Sequence, residues 1–132
     1  MEKLINEFLT DNYTTISHED TDKFEFNAPH LFIVEPSLKH IQNSEQFENV
    51  EIIPPVSVVK FQKGPIKENG VNGVANEDLI SMVVKRLQCF QESPYKCDEN
   101  EQAIKHLEDC LKVLRIRTDK RVDREVEGTS EI

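Results

Sequence analysis

Two apolar stripes constrain this chain more than any other feature. Ile80, Val83, Leu87 and Phe90 stand at spacings 0, 3, 7 and 10, and Ile104, Leu107, Leu111 and Leu114 repeat the same ruler. Apolar side chains at that period form one face of an α-helix. Between the stripes lies Ser93-Pro94, and the residue before a proline resists the helical region. The starts are marked as well. Asn76 reads as an N-cap, with Glu77 and Asp78 in the first turn, where the helix dipole favours acids. Asp98 with Glu101 three residues on reads as a capping box. Two matched stripes and a short connection predict an antiparallel helical hairpin over 76–124. Leu79, Val84, Val113 and Ile116 lie off both seams and need cover from the rest of the chain or from a second copy, so an oligomer is expected.

The first half has a different texture. "KFEFNA" at 23–28, "LFIVE" at 31–35, "VEII" at 50–53 and "VSVVKFQ" at 56–62 are rich in strand formers. They predict a small antiparallel sheet of three or four strands, and residues 3–9 predict one or two helical turns. The expected fold is therefore α+β, a small N-terminal antiparallel β-sheet followed by the two-helix hairpin. A length of 132 residues is that of a single domain, 1–132. Within it fall a β-rich part (1–63), a Gly-rich connector (64–75), the hairpin (76–124) and a tail (125–132).

Charge narrows the function classes. The formal net charge is -9, which disfavours wrapping a nucleic acid polymer. Yet residues 112–124 hold Lys112, Arg115, Arg117, Lys120, Arg121 and Arg124 against Asp119 and Asp123, a local charge of +4. A compact cationic spot on an acidic body suits a small anion. Arg117, Arg121 and Arg124 are spaced i, i+4, i+7 and share a helix face. Their plainer reading is dipole complementation with salt bridges to Asp119 and Asp123. The use of arginine in a chain where lysine outnumbers it eleven to five favours a phosphorylated ligand, because the guanidinium fork matches phosphate and stacks on rings.

Other motifs carry less. "ENGVNGVANEDL" precedes a helix start but lacks the phosphate-loop pattern, and its acids oppose an anion there. Cys89, Cys97, His106 and Cys110 flank the hairpin turn without knuckle spacing, so no metal and no cofactor is expected. Three cysteines and the charged start "MEKLINEFL" read as free thiols in a reducing cytosol, and no apolar run is long enough for a membrane span. No catalytic motif accompanies the four histidines.

Taken in order, "GPIKENGVNGVANEDL", "RLQCFQ", "PYKCDENEQAIKHL" and "RTDKRVDREVEGT" resemble the phage-encoded anti-Thoeris sponge proteins. They also resemble the smaller anti-CBASS sponges that share the hairpin. The β-rich first part fits the anti-Thoeris branch. The resemblance implies a non-catalytic binder acting in the cytoplasm of an infected bacterial host. Such a protein sequesters glycocyclic ADP-ribose, the cyclic messenger of Thoeris defence, and some members also hold cyclic di- or trinucleotides of CBASS. It implies homodimers that assemble into a hexamer. By motif position, Phe90 would stack on adenine, Asn100 would hydrogen-bond the ligand, and Arg117 and Arg121 would stack on it or clamp its phosphates. Arg124, Gly73 and Asn76 are further candidates. This chain departs from the family pattern at Glu125, where a glycine is usual, at Ala75, where a hydroxyl residue is common, and at Val113, where an aromatic is common. The alternatives are a sponge for CBASS cyclic di- or trinucleotides on the same scaffold, a messenger-degrading enzyme, and an adaptor that uses the hairpin only to oligomerise.

Asn100 and Arg117 stand seventeen residues apart on one predicted helix, about 25 Å. Phe90 and Asn100 belong to the bend and the arginines to the far end. One small ligand can meet all four only if two hairpins pack bend against tail, giving two pockets per twofold dimer.

Overall fold

A computed structural model describes residues 1–132 as two compact units, Met1–Gly64 and Pro65–Ile132. The first unit is built on a four-stranded antiparallel meander in the order β1 (Glu2–Lys3), β2 (Thr14–His18), β3 (Leu31–Pro36) and β4 (Ser57–Lys60). The register pairs Ile16 with Val34, His18 with Phe32, and Phe32 with Val59. Directly opposed residues share a face, so these side chains form one apolar surface. His18 lies 5.7 Å from Phe24 and 5.7 Å from Phe32, and Phe32 meets Phe61 edge-on at 5.5 Å.

Polar contacts fix the loops around the sheet. The Glu19 carboxylate accepts the N–H groups of His30 (3.0 Å) and Leu31 (2.9 Å), tying the start of β3. Burial raises its pKa, but the backbone N–H groups of His30, Glu19 itself and Leu31 together more than offset this and hold it below the ordinary glutamate value. The Glu2 carboxyl is lowered too, by the N–H and hydroxyl of Thr21. Ser37 is the most buried residue of the chain, 2% exposed. Its hydroxyl accepts the His40 N–H at 3.0 Å and caps α1 (Leu38–Gln42).

Three expectations for this unit are corrected. Residues 23–28 are not a strand, because Phe26 and Asn27 take left-handed φ of 52° and 68° and reverse the chain. Residues 50–53 are loop, without a partner strand before Pro54-Pro55. Residues 3–9 form a turn after β1 instead of helix, with the Asn6 side chain accepting the N–H groups of Phe8 and Leu9. The missing strands are β1 and β2; Thr14, Thr15 and Ile16 make β2 a run of β-branched residues.

The second unit is the hairpin with its accessories. After α2 (Ile66–Asn69) come α3 (Asn76–Gln91) and α4 (Asp98–Asp123), which pack as an antiparallel pair. The seam on α4 runs through Ile104, Leu107, Leu111 and Leu114 as the spacing predicts. On α3 it runs through Ile80, Val84 and Leu87. Val84 is the buried residue, 7% exposed, and Val83 is 47% exposed, the reverse of the expectation. Both helix starts also sit one residue earlier than expected. The caps are Ala75 and Cys97, and Asn76 and Asp98 are the first helical residues.

Helices of 16 and 26 residues leave α4 projecting about 15 Å past the start of α3. Arg115, Arg117 and Arg121 fall on that overhang. Burial in the chain is thin. Its accessible surface is 10290 Å², against roughly 7,100 Å² for a compact monomer of this mass and roughly 8,600 Å² for two separate globules of half the mass.

Candidate functional site: the two ends of the hairpin

The bend end carries the aromatic group. Phe90 closes the last turn of α3 and Asn100 stands in the first turn of α4, both half-buried. Gln91 holds the turn between them. Its amide accepts the Cys97 N–H and donates to the Cys97 carbonyl, both at 3.0 Å. Ser93 adds a second brace, donating to the Phe90 carbonyl at 2.6 Å and accepting the Tyr95 N–H at 3.1 Å. One turn before Phe90, the Arg86 guanidinium lies 5.2 Å from the ring centroid, a cation–π contact. Sequence reasoning passed over Arg86, although its i, i+4 spacing to Phe90 was the available signal.

The overhang end carries the cations. Arg117, Lys120, Arg121 and Arg124 line a cavity of about 400 Å³ together with Val113, Ile116 and Ile132. Val113 and Ile116 are 65% and 54% exposed. The charges of Arg117 and Arg121 are not spent on neighbouring acids. Asp119 pairs with Arg115 at 2.8 Å, and neither Arg117 nor Arg121 has a carboxylate partner. The salt bridges to Asp119 and Asp123 that the plainer reading called for are therefore not made by Arg117 or Arg121, whereas Lys120 and Arg121 do stand in the last turn of α4, where the helix dipole favours cations. Arg121 instead donates through Nη2 to the carbonyls of Val126 (3.0 Å) and Thr129 (3.1 Å), and Arg124 donates to the main-chain oxygen of Ile132 (3.1 Å).

Within one chain the four residues form two clusters. Asn100 and Arg117 are fixed on one unbroken helix, about 25 Å apart. A larger groove of about 1130 Å³ runs along the hairpin near the bend, lined by residues including Lys85, Glu92, Lys96, Glu101 and Lys105. It contains none of the four, and its mixed charges give an anion no preference.

The start of α3 is set against an anion. Gly73 does not take a positive φ. The Asp78 carboxylate accepts the Ala75 N–H at 2.8 Å and places a negative charge at the start of α3, beside the exposed Asn76. No helix of the chain is long and apolar enough to cross a membrane.

A family model described as the Acb2/Tad1 hairpin domain matches residues 54–117, a span that includes Phe90, Asn100 and Arg117 and stops short of Arg121. The protein "Thoeris anti-defense 1" of Bacillus phage SBSphiJ7 is 44% identical over 141 aligned residues, covering 99% of each chain. Identity at that level along the full length, sheet and tail included, means that this chain belongs to the Thoeris anti-defense 1 family of phage proteins and carries its Acb2/Tad1 hairpin domain.

Proposed function

We propose that the chain is a sponge. It binds glycocyclic ADP-ribose without degrading it, in the cytoplasm of an infected bacterial host, and keeps the messenger from its receptor. The pocket lies between two copies. Phe90 and Asn100 of one chain receive the adenosine, and Arg117 and Arg121 of the other hold the pyrophosphate. The observation that carries this reading is the cavity at the overhang of α4, where Arg117 and Arg121 stand beside exposed Val113 and Ile116 with no acid to neutralise them.

The surface supports a partner chain. The chain exposes over 1,000 Å² more than two separate globules would, and one partner of a standard interface buries roughly 800 Å². Energetically the parts suffice. Stacking a base on Phe90 contributes about 1–3 kcal/mol. Each charge-assisted bond to phosphate contributes about 1.5–3 kcal/mol. Nanomolar capture requires about -12 kcal/mol in all, with the remainder coming from enclosure of the sugars.

The testing experiment incubates the messenger with the protein, denatures the protein by heat and assays the released molecule. Intact glycocyclic ADP-ribose in stoichiometric amount supports sequestration. A cleaved product identifies a degrading enzyme. Retention of cyclic di- or trinucleotides alone assigns the scaffold to CBASS messengers, and failure to retain any nucleotide leaves an oligomerising adaptor.

A further inference from the structure

The segment that follows α4 folds back onto one nitrogen of Arg121. α4 ends in a Schellman motif, in which Glu125 N–H donates to the Val122 carbonyl (2.9 Å) and Val126 N–H to the Arg121 carbonyl (3.0 Å). The same turn sends the Val126 and Thr129 carbonyls back onto Nη2 of the Arg121 guanidinium. The segment is itself clipped to α2. Lys67 N–H donates to the Gly128 carbonyl at 2.8 Å, and Ser130 donates to Glu68 Oε1 through its N–H (3.3 Å) and hydroxyl (3.0 Å). Gly128 has φ of +76°, and a Cβ there would meet Lys67 Cγ at 3.0 Å.

A guanidinium offers five N–H donors. The two carbonyls occupy both hydrogens of Nη2 and leave Nε–H and the Nη1 pair. Both acceptors are neutral, so they fix the plane of the fork without cancelling its charge. Arginine otherwise surrenders much rotamer freedom when it grips a ligand; here that freedom is lost on folding.

We infer that the C-terminal segment Glu125–Ser130, fastened to α2, is a positioning element that pre-sets Arg121 for a phosphate. This rests on the proposed site and adds to it a group of residues that touch no ligand. α2 belongs to the stretch read from sequence as a connector, and it acquires a role as the anchor of the segment.

The test is a double-mutant cycle in the otherwise complete chain, with glycocyclic ADP-ribose as probe and calorimetry as readout. One change is removal of residues 126–132 and the other is Arg121→Ala. The segment's removal is expected to weaken binding at least fivefold in the wild-type background and to have no further effect once Arg121 is alanine. Equal losses in both backgrounds would mean that the segment acts elsewhere, and unchanged or tighter binding after removal would mean that it positions nothing or obstructs the site; each overturns the inference while Arg121→Ala alone still weakens binding. Wild-type affinity in Arg121→Ala itself removes the underlying site and the inference with it. Where removal unfolds the hairpin, Gly128→Val in the intact chain runs the same cycle, because it disturbs the segment through its left-handed backbone.

Discussion

The Arg86 guanidinium lies over the Phe90 ring at 5.2 Å from its centroid, so a base stacking on that ring would take the opposite face. A cation held on the far side of a ring orients it and adds positive charge near an incoming phosphate. An exposed cation–π contact contributes about 0.5–1 kcal/mol. Arg86→Gln is therefore expected to weaken binding of glycocyclic ADP-ribose about two- to fivefold, whereas Phe90→Ala removes the stacking platform and costs tenfold or more. Calorimetry on the two variants checks the order, and equal affinities would contradict the role given to the ring.

Two departures from the family pattern fall at helix ends, and both lead to stability predictions. Glu125 occupies the C′ position of α4 with φ of +59°, a conformation that costs an L-residue about 1–2 kcal/mol. Glu125→Gly is expected to raise stability by about 1 kcal/mol. Ala75 caps α3 without a side-chain oxygen, although Asp78 already supplies the reciprocal half of a capping box. Ala75→Ser completes it, with an expected gain of about 0.5–2 kcal/mol. Chemical denaturation measures both.

The sheet unit carries its own pH dependence. Glu19 is held below its ordinary pKa in the folded chain, so the folded state binds fewer protons than the unfolded one where the group titrates. Its contribution is whole above the unfolded glutamate value, about 4.3, and is lost as pH falls through the lower folded value. Glu2 shifts in the same direction. Glu19→Gln is expected to destabilise the sheet at pH 7 and to lose less stability than wild type on acidification to pH 4. Melting curves at the two pH values read the difference, and parallel losses would contradict it.

The hairpin was legible because its stripes repeat over three turns in each helix. Neighbouring Val83 and Val84 defeated the finer reading, since two adjacent valines leave the phase of a stripe ambiguous by one residue, and in the fold Val84 is the one buried. The sheet was legible as a class but not strand by strand. "KFEFNA" has strand composition, yet the chain reverses at Phe26 and Asn27. β2 is short and mostly polar, and it becomes a strand because β3 pairs along its whole length. The four site residues came from the resemblance, while the supports around them did not. Arg86 over Phe90, Gln91 on Cys97 and the carbonyls on Arg121 depend on how turns and tails close in space, which no stripe or motif encodes.

The central claim is a pocket shared between chains, and subunit mixing tests it most directly. Phe90→Ala and Arg117→Ala chains are combined in equal amounts and allowed to exchange, at a glycocyclic ADP-ribose concentration too low to load either variant alone. Random pairing in twofold dimers should restore roughly a quarter of the wild-type binding capacity at wild-type affinity, because each mixed dimer holds one intact pocket. A mixture that binds no better than its separate components would contradict the account.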